Sequence, residues 1–598
     1  MWPFDSIGGV PTLPVSAVGT QVPTNPNIDP ELYTYDYIIV GGGTAGCCLA
    51  SRLSEDPGVK VLLVERGPLR DDWAFKVPLI SSNPYARDAP VGRWWAQPLC
   101  MADGRPLEVV CGEALGGTSS INCMLYTRGT PGDYNRWKEL GNDGWGYDDL
   151  EPYFVKSETT HSHPPSEWRG KQGPWQNQTH PHIPYQNMGS LVNALERAGI
   201  HLTEDANSPH APAANYALPD VAQDSQNYRH STFRAFLPPE LRYERRDRLK
   251  ICTNTLVTRI EIVRESGRVR AKGVYFEATD YRRAGQRFYA KARREIVLCA
   301  GALGSPQILQ LSGVGPTDHL EKKGIPVQHD LPGVGHHLQD HIAVPLTYEI
   351  PIDDSLHGLE NDPVKAAKEL LRYLLTGKGI FSLPFQPIAI YVPSRLLDSD
   401  GRLSATSPSV LDASLPENRP DLEIMPNANN CTDHEITGKG IFTLIVGLIR
   451  PKSKGNVRVA NSNPRARPNV DLGFLTNEDD YVPLRKGLKL SMNLAEDMRE
   501  HGYPLRDFIV PLNTDDDSLD RFIRQNLRTC YHYTSTCRMG RQDNAGHPGV
   551  VDAELRVHGV GGLRICDTSV FPEIVGAHTM APAVVVAEKC ADMIKASL

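Results

Sequence analysis

The sequence lacks the long apolar runs and the basic excess that mark several classes of protein. No run approaches the roughly 18 apolar residues of a membrane-spanning helix. A net charge of −8 with a pI near 6.2 argues against a surface for nucleic acid or anionic membrane. The 12 cysteines are scattered and several lie in apolar stretches, which favours buried thiols over a disulfide framework. With 40% hydrophobic and 22% charged residues, we expect a soluble globular protein.

The first residues also lack the basic and apolar regions of a signal peptide. We therefore favour a cytoplasmic protein, with secretion left open if the start is processed. Residues 1–33 are rich in Pro, Gly, Thr and Asn without periodicity, which predicts an extended arm or a partly disordered tail. At 598 residues the chain exceeds what one hydrophobic core usually supports, so we expect two domains.

The stretch from 37 to 66 reads as apolar strand, glycine turn, helix and second apolar strand. In this pattern Gly41 makes the turn, Gly43 lets the backbone approach a pyrophosphate, and Gly46 lets the helix pack on the strand. The pyrophosphate would lie at the helix N-terminus, where unpaired N–H groups favour negative charge. Glu65 follows the second strand, where a carboxylate accepts from ribose hydroxyls. The stretch therefore predicts a dinucleotide site, although the glycines alone would also fit an ordinary turn.

A second run, 116–122, is made of glycine, serine, threonine, isoleucine and asparagine. It supplies N–H groups and hydroxyls without bulk, which suits close passage over a polar cofactor, and a plain loop remains open. The apolar run 295–299 leads into Gly301, as a parallel core strand does when it ends at a cofactor. Further strands are predicted near 249–252 and 257–263.

These motifs recur in the same order in a known family. They are 41–46, 115–122 with 128–129, 144–150, 301–306, 312–316, 331–335 with 338–341, and the C-terminal runs 531–540, 563–572 and 576–582. With them the chain resembles the glucose–methanol–choline (GMC) oxidoreductases over nearly its whole length. In pattern it is closest to the fungal aryl-alcohol oxidase-like members.

The resemblance implies an α/β fold, in which a doubly wound, Rossmann-like FAD-binding domain carries a discontinuous α+β substrate-binding domain built on an antiparallel sheet. The FAD-binding domain is expected at 34–165, 225–345 and 530–598, and the substrate-binding domain at 166–224 and 346–529. Strands near 442–449 and 456–460 fit that antiparallel sheet, and 365–375 reads as an amphipathic helix.

The resemblance also implies FAD, held by a set of residues spread along the chain. They are Gly41, Gly43, Thr44, Ala45, Gly46, Glu65, Thr118, Asn122, Val257, Asp567 and Thr579. Ile121 stands where some relatives carry a histidine bonded covalently to the flavin, so we expect non-covalent FAD. Cys111-Gly112-Glu113 replaces the usual Arg-Gly-Lys, which removes two positive charges near the flavin.

Two histidines carry the expected chemistry. Loss of a hydride from an alcohol carbon requires loss of the hydroxyl proton, and a neutral imidazole can accept it. By resemblance His532 is this base, and His578 orients the same oxygen. The pocket walls are expected from Phe381, Phe385, Gln386, Tyr391 and Tyr531. Four histidines, His161, His163, His180 and His182, have spacings that imitate a metal site, but Pro and Ser around them favour a solvated loop, so no metal is expected.

Together these features predict FAD-dependent oxidation of a primary alcohol, aromatic or otherwise small, to the aldehyde. The hydride goes to flavin N5 and the electrons to O2, giving H2O2. Three alternatives remain open: a dehydrogenase with a quinone acceptor, a lyase or cyclase whose flavin is not turned over, and, from Cys431 placed before Arg450, photodecarboxylation. The expected partners are a small alcohol and O2, without nucleic acid or membrane insertion; the oligomeric state is left open, and fungal resemblance suggests secondary metabolism.

Overall fold

The computed structural model describes residues 12–23, 30–404, 408–544 and 546–597, so much of the predicted N-terminal arm lies outside it. Within these ranges the α-helices are α1 Val15–Val18, α2 Thr44–Leu53, α3 Pro78–Ser81, α4 Pro131–Glu139, α5 Tyr147–Ser157, α6 Gln186–Arg197, α7 Thr232–Phe236, α8 Pro239–Glu244, α9 Gly301–Leu311, α10 Thr317–Lys322, α11 His357–Glu360, α12 Pro363–Thr376, α13 Tyr481–Glu500, α14 Asp516–Asn526 and α15 Met580–Ala596. None of these helices is long and apolar enough to cross a membrane.

The strands of the same ranges form two large sheets and several small ones. They are β1 Thr20–Val22, β2 Thr34–Val40, β3 Val61–Val64, β4 Val91–Trp95, β5 Glu108–Gly112, β6 Leu125–Tyr126, β7 Glu158–Thr160, β8 Trp175–Thr179, β9 Asn215–Ala217, β10 Asp220–Val221, β11 Leu249–Cys252, β12 Thr255–Glu265, β13 Arg268–Ala278, β14 Arg287–Leu298, β15 Val314–Gly315, β16 His329–Asp330, β17 His336–Leu338, β18 Ile342–Ile350, β19 Ala389–Val392, β20 Leu422–Asn427, β21 Gly440–Leu448, β22 Gly455–Arg458, β23 Asn469–Asp471, β24 Arg506–Ile509, β25 Arg528–Thr529, β26 Val560–Gly561 and β27 Leu563–Ile565.

The first large sheet has the order β11-β3-β2-β14-β13-β12, and β27 pairs with β14. Strands β11, β3, β2, β14 and β27 run parallel, and β2 and β3 are buried along their whole length. Their continuous apolar sequence is typical of parallel strands covered on both faces. Helix α2 connects β2 to β3, so the glycine turn lies at the carboxyl edge of the sheet, where open α/β sheets bind ligands.

The second large sheet is antiparallel, with the order β24-β18-β21-β20-β19-β9 and β25 paired to β18. Its centre is the long register of β18 on β21, which joins Ile342 to Leu448 and Ile350 to Gly440. Helix α13 packs against β21 and β20. The two sheets together confirm the predicted fold class, a Rossmann-like α/β domain with an antiparallel domain on it.

One predicted strand belongs elsewhere. The run at 456–460 was expected in the antiparallel sheet, but β22 pairs with β17 and β23 in a separate three-stranded sheet. The chain leaves β21 through Pro451, which has no N–H to donate to a sheet. Gly455 then lets β22 approach β23 closely, because a Cβ there would lie 1.9 Å from the Asp471 carbonyl oxygen.

Two hydrophobic cores lie on the two large sheets, and the chain passes between them several times. Leu99 and Leu107, from a segment predicted for the cofactor domain, pack in the second core. Trp175, from a segment predicted for the substrate domain, packs in the first. The domain boundaries stay a prediction. The 12 cysteines are all free, and Cys299 and Cys590 are buried, as their apolar surroundings predicted.

Candidate active site

A cavity of about 1010 Å³ extends from the glycine turn of the first sheet to strands of the antiparallel sheet. Its cofactor end is lined by the β2–α2 turn, and its other end by β18, β20, β21 and the segment after β25. A space of this size between two domains is typical of cofactor and substrate sites. The predicted site residues are therefore expected to line this cavity.

At the cofactor end, Gly41 and Gly46 lie where a side chain would not fit, whereas the contact of Gly43 with a pyrophosphate stays a prediction. A Cβ on Gly41, whose φ is +106°, would lie 2.4 Å from the Cys299 carbonyl oxygen, and one on Gly46 would lie 1.9 Å from the Gly41 oxygen. At Gly43 the nearest atom to a Cβ is the Gly117 Cα, 3.8 Å away, which is an ordinary van der Waals distance, and Gly43 itself lines the cavity. Since Thr44 starts α2 there, the turn offers backbone N–H groups in a cradle that fits a diphosphate.

Glu65 lines the same end of the cavity and is held by backbone. Its two carboxylate oxygens accept hydrogen bonds from the N–H groups of Gly42 and Gly67, both at 2.7 Å. Burial raises the pKa of Glu65 to about 7 in spite of these bonds. Each oxygen keeps a second lone pair, so the carboxylate can also accept from a ribose hydroxyl, as predicted.

Asn122, on the second glycine run, is fixed by a buried arginine that the sequence reasoning missed. Arg229 Nη1 donates to Asn122 Oδ1 at 2.9 Å, and its other bonds go to Ser81, Ser82 and backbone carbonyls. Among the described residues no carboxylate pairs with this guanidinium, and burial lowers its pKa to about 9. It places a buried positive charge directly behind Asn122.

Asp567 follows β27 and binds the start of α9, which is next to the glycine turn. Its Oδ2 accepts from Gly301 N–H at 2.9 Å and from Ser305 Oγ–H at 2.6 Å. Burial raises the pKa of Asp567. Of the predicted cofactor residues, Gly46 packs inside the fold, and the rest line the cavity: Gly41, Gly43, Thr44, Ala45, Glu65, Thr118, Asn122, Val257, Asp567 and Thr579.

The two predicted catalytic histidines meet at the wall of the cavity. The rings of His532 and His578 are 4.8 Å apart between centroids and nearly perpendicular. The residue before the first of them, Tyr531, has a φ of +61°, and this rare backbone conformation turns the chain after β25 towards the cavity. Burial, and secondly His578 and His341, lower the pKa of His532 well below its usual value, so its ring is neutral.

Behind His532 lie two consecutive residues from the short connection between β17 and β18. Asp340 accepts from the His532 backbone N–H at 2.7 Å and from the Thr529 hydroxyl. His341 Nδ1 lies 2.9 Å from His532 Nδ1, and His341 Nε2 lies 3.0 Å from the Val575 carbonyl oxygen. Burial raises the pKa of Asp340 to about 7 and lowers that of His341 to about 4.

Behind His578 lies a buried acid on β20 that the sequence reasoning also missed. Glu423 Oε1 is 3.1 Å from His578 Nε2 and accepts from Gln386 Nε2 at 3.0 Å. Burial acts to raise the pKa of Glu423, but His578 and Gln386 outweigh it, so the pKa is lowered and the carboxylate is ionised. An acid inside the apolar run Leu422–Asn427 was the signal that could have found it.

Three of the five predicted pocket residues line the cavity: Phe385, Gln386 and Tyr531. Phe381 does not, because it packs with Val77 and Tyr373 in a separate small core. Tyr391 does not line it either, because it lies on β19, a strand of the antiparallel sheet, and is buried there in a small cluster with Ala389 and Ile449. The structure adds Tyr85 to the wall, whose hydroxyl lies 3.1 Å from that of Tyr531.

The histidine-rich segment brings only one of its four histidines to a group of possible metal ligands. His163 lies with Asp205 and Asp220. Arg169 pairs with both acids, at 2.9 and 2.7 Å, so their charge is already balanced by a guanidinium. We interpret this group as an ion-pair network.

Comparisons with known proteins agree with this geometry. The family described as GMC oxidoreductase matches residues 35–343 and, in its C-terminal part, 451–587. Oxygen-dependent choline dehydrogenase 1 of Chromohalobacter salexigens is 33% identical over 570 residues, which is 94% of this chain and 95% of that protein.

Two solved structures are also similar. Formate oxidase from Aspergillus oryzae, in a structure that concerns modification of its FAD, has a TM-score of 0.83 and 25% identity, over 94% of this chain and 98% of that one. A fungal aryl-alcohol oxidase has a TM-score of 0.78 and 24% identity, over 94% and 99%, and supports the fold alone.

Proposed function

The chain belongs to the GMC oxidoreductase family, and from that premise we propose that it oxidises an uncharged primary alcohol to the aldehyde with non-covalent FAD and O2. The observation that carries the proposal is the pair His532 and His578 at the wall of the cavity, one neutral and the other against an ionised carboxylate. Such a pair suits removal of the proton from a hydroxyl oxygen while a hydride leaves the carbon that bears this oxygen.

FAD fits the cofactor end, and when bound it would supply the hydride acceptor. The chain would hold its diphosphate on the turn at Gly43 and Thr44 and its ribose on Glu65. The ring system would pass Thr118 and Asn122. Ile121 also lines the cavity, and an isoleucine offers no atom for a covalent bond to the cofactor, which supports dissociable FAD.

The alcohol would place its hydroxyl between the two histidines. His532 would accept the hydroxyl proton as the hydride departs from the carbon, so that the products are an aldehyde and a protonated imidazole. His578 would donate Nε2–H to Glu423 and, with its other ring nitrogen also protonated, would donate Nδ1–H to the substrate oxygen, which orients the alcohol. Glu423 thus acts through His578 rather than on the substrate.

The lining of the cavity beyond the histidines favours an uncharged substrate. Most of it is apolar: Leu79, Ile80, Ala343, Pro345, Leu356, Leu359, Phe385, Met425 and Ile445. Among the described residues lining that end, the carboxylate is Glu360, whose side chain is 65% exposed. Because this carboxylate is largely exposed to solvent, and because the rings of Tyr85, Phe385 and Tyr531 at this end can pack on an aromatic substrate, we infer a small or aromatic alcohol.

Two features support O2 as the acceptor. The similar choline dehydrogenase is named oxygen-dependent, and the similar formate enzyme is named an oxidase. In the return half-reaction O2 takes two electrons and two protons and leaves as H2O2. His532, protonated in the first half-reaction, can return one of those protons.

The test is an anaerobic absorbance titration of the yellow holoenzyme with benzyl-type and furan-type alcohols, followed by admission of air. We expect the flavin band to bleach, then to recover with formation of H2O2. If the flavin band recovers only with a quinone, the electron acceptor is a quinone and not O2. If no alcohol bleaches the band, alcohol oxidation is refuted and a lyase or cyclase is favoured.

The matched variant is His532→Ala, with the exposed His501→Ala as control. Loss of the base is expected to slow flavin reduction by about 100-fold or more while FAD stays bound. His501→Ala is expected to behave as wild type, since its side chain is about half exposed at the end of α13. Retention of most activity in His532→Ala would remove the assigned base.

A further inference from the structure

His341 lies behind His532 and has no place in the reaction described so far. We propose that His341 is a positioning residue that fixes which ring nitrogen of His532 carries hydrogen, and so leaves His532 Nε2 as a bare lone pair at the cavity. The proposal rests on the proposed function, because it explains how the assigned base is held in its reactive form. It follows from two contacts of the His341 ring, one with the Val575 carbonyl oxygen and one with His532 Nδ1, and from the rules of hydrogen bonding.

The ring nitrogen of His341 that points away from His532 is Nε2. It lies 3.0 Å from the backbone carbonyl oxygen of Val575, within hydrogen-bonding distance. A carbonyl oxygen only accepts, so the hydrogen must be on His341 Nε2. The ring is 1% exposed, so water does not compete for this bond. A backbone carbonyl thereby sets the tautomer of His341.

The rings of His341 and His532 are in contact through their Nδ1 atoms. A neutral imidazole carries one hydrogen, so with Nε2–H in place His341 Nδ1 is an acceptor. His532 Nδ1 lies 2.9 Å away, and a hydrogen must lie between the two nitrogens. His532 therefore donates Nδ1–H. Because His532 is also neutral, its remaining nitrogen, Nε2, is bare.

The alternative would be a doubly protonated His341 that donates to His532 Nδ1. That arrangement puts the hydrogen of His532 on Nε2, where it cannot accept a proton from a substrate. Burial of a charged ring opposes it, and so does the charge of a protonated His578, whereas Glu423 and Asp133 act in its favour from further off. None of the carboxylates that the structure describes is in hydrogen-bond contact with this buried ring, so the neutral form prevails.

The main chain supports the same arrangement. Asp340, the residue before His341, accepts the backbone N–H of His532 at 2.7 Å. Two consecutive residues thus fix the backbone and the ring of His532 together. Neither residue is needed to touch the substrate, so the expected effect of losing His341 is on the rate of proton removal rather than on substrate binding.

The first experiment compares two variants of the holoenzyme in anaerobic single turnovers. His341→Phe keeps an aromatic ring but removes the acceptor, and His341→Asn keeps an acceptor oxygen near the position of Nδ1. We expect flavin reduction to slow by about 100-fold or more in His341→Phe, with the substrate dissociation constant changed less than threefold. In His341→Asn the rate is expected to return to within tenfold of wild type.

The second experiment reads the tautomer directly. In wild-type holoenzyme labelled with 15N-histidine, the His532 signals, assigned by their loss in His532→Gln, are expected to show a protonated Nδ1 and a bare Nε2. A protonated Nε2 would overturn the proposal, and this holds even if His341→Phe does not fold or bind FAD. Flavin reduction in His341→Phe within threefold of wild type would overturn it as well.

These outcomes stay separate from those of the proposed function. If His532→Ala keeps its activity, the base itself is wrong. If His532→Ala is inactive and His341→Phe reduces its flavin normally, the base stands and only the role of His341 fails.

Discussion

The two ends of the cavity are built in different ways. The cofactor end is made largely of main chain: the turn at Gly41, the start of α2, and a carboxylate, Glu65, held by two backbone N–H groups. The catalytic end is made of side chains from four separate segments, in the order His341, Glu423, His532 and His578. Both ends contain a buried carboxylate with a pKa near 7, Glu65 at one and Asp340 at the other.

This difference determines how each end responds to substitution. A main-chain site depends on the absence of side chains, so one added carbon atom can destroy it. A side-chain network depends on particular atoms, so loss of one contact is expected to weaken the reaction while the fold and the cofactor remain. Three substitutions test this contrast.

The largest effect is expected from Gly46→Ala. The added Cβ would lie 1.9 Å from the Gly41 oxygen, so α2 must move away from the turn that forms the cradle. We expect complete loss of bound FAD, measured as flavin absorbance after gel filtration. The control is Gly189→Ala, on α6, where nothing lies within 4 Å of the new Cβ and alanine is the better helix former. A yellow Gly46→Ala protein would contradict the main-chain interpretation.

An intermediate effect is expected at Glu423. Glu423→Gln keeps an oxygen for His578 but removes the charge, and we expect flavin reduction to slow about 10-fold to 100-fold with FAD retained. Glu423→Leu removes the acceptor too and should slow reduction further. Loss of FAD from Glu423→Gln would show that the two ends of the cavity are not independent. Glu349→Gln, on strand β18 of the same sheet and paired with Lys439, is the matched control.

The smallest effect is expected in the pH dependence of stability. Burial raises the pKa of Asp340 from 3.8 to about 7, so the folded state holds the proton more tightly than the unfolded state. This contribution to stability is fully present below about pH 4 and is lost as the pH rises to about 7. Asp340→Asn is therefore expected to flatten the fall in melting temperature of the apoprotein between pH 5 and 8 by a few degrees.

The control for that measurement is Asp353→Asn, whose side chain is 85% exposed. It should leave the slope unchanged. If melting temperature falls equally with pH in Asp340→Asn and in wild type, the pKa of Asp340 is not raised in the folded protein.

The contrast also explains what could be predicted from the sequence. The glycine turn, α2 and Glu65 are consecutive in the chain, and each has a physical requirement that shows in local sequence. His532 and His578 were found by family resemblance. Glu423 and His341 were not assigned, because their roles arise from strand pairing. The pairing of β20 with β21 positions Glu423, and the pairing of β25 with β18, which begins directly after His341, positions His341.

The errors have the same origin. Phe381 is aromatic and lies four residues before Phe385, yet one packs in a core and the other lines the cavity. The strand β22 has an alternating sequence that fits an antiparallel sheet, but its partners were set by a proline and a close glycine contact. Propensity predicts that such elements exist, and tertiary packing decides which neighbours they have.

The pairing of β27 with β14, and the packing of α15 on α2 through Glu588 and Arg52, give the chain a particular order of assembly. The glycine turn leaves the ribosome early, but the last strand beside it follows about 520 residues later. At roughly 5–20 residues per second this is a delay of about half a minute to two minutes. During that interval the carboxyl-terminal end of β14 lacks the partner that β27 provides, and the cofactor site is completed only after residues 563–565 have been made.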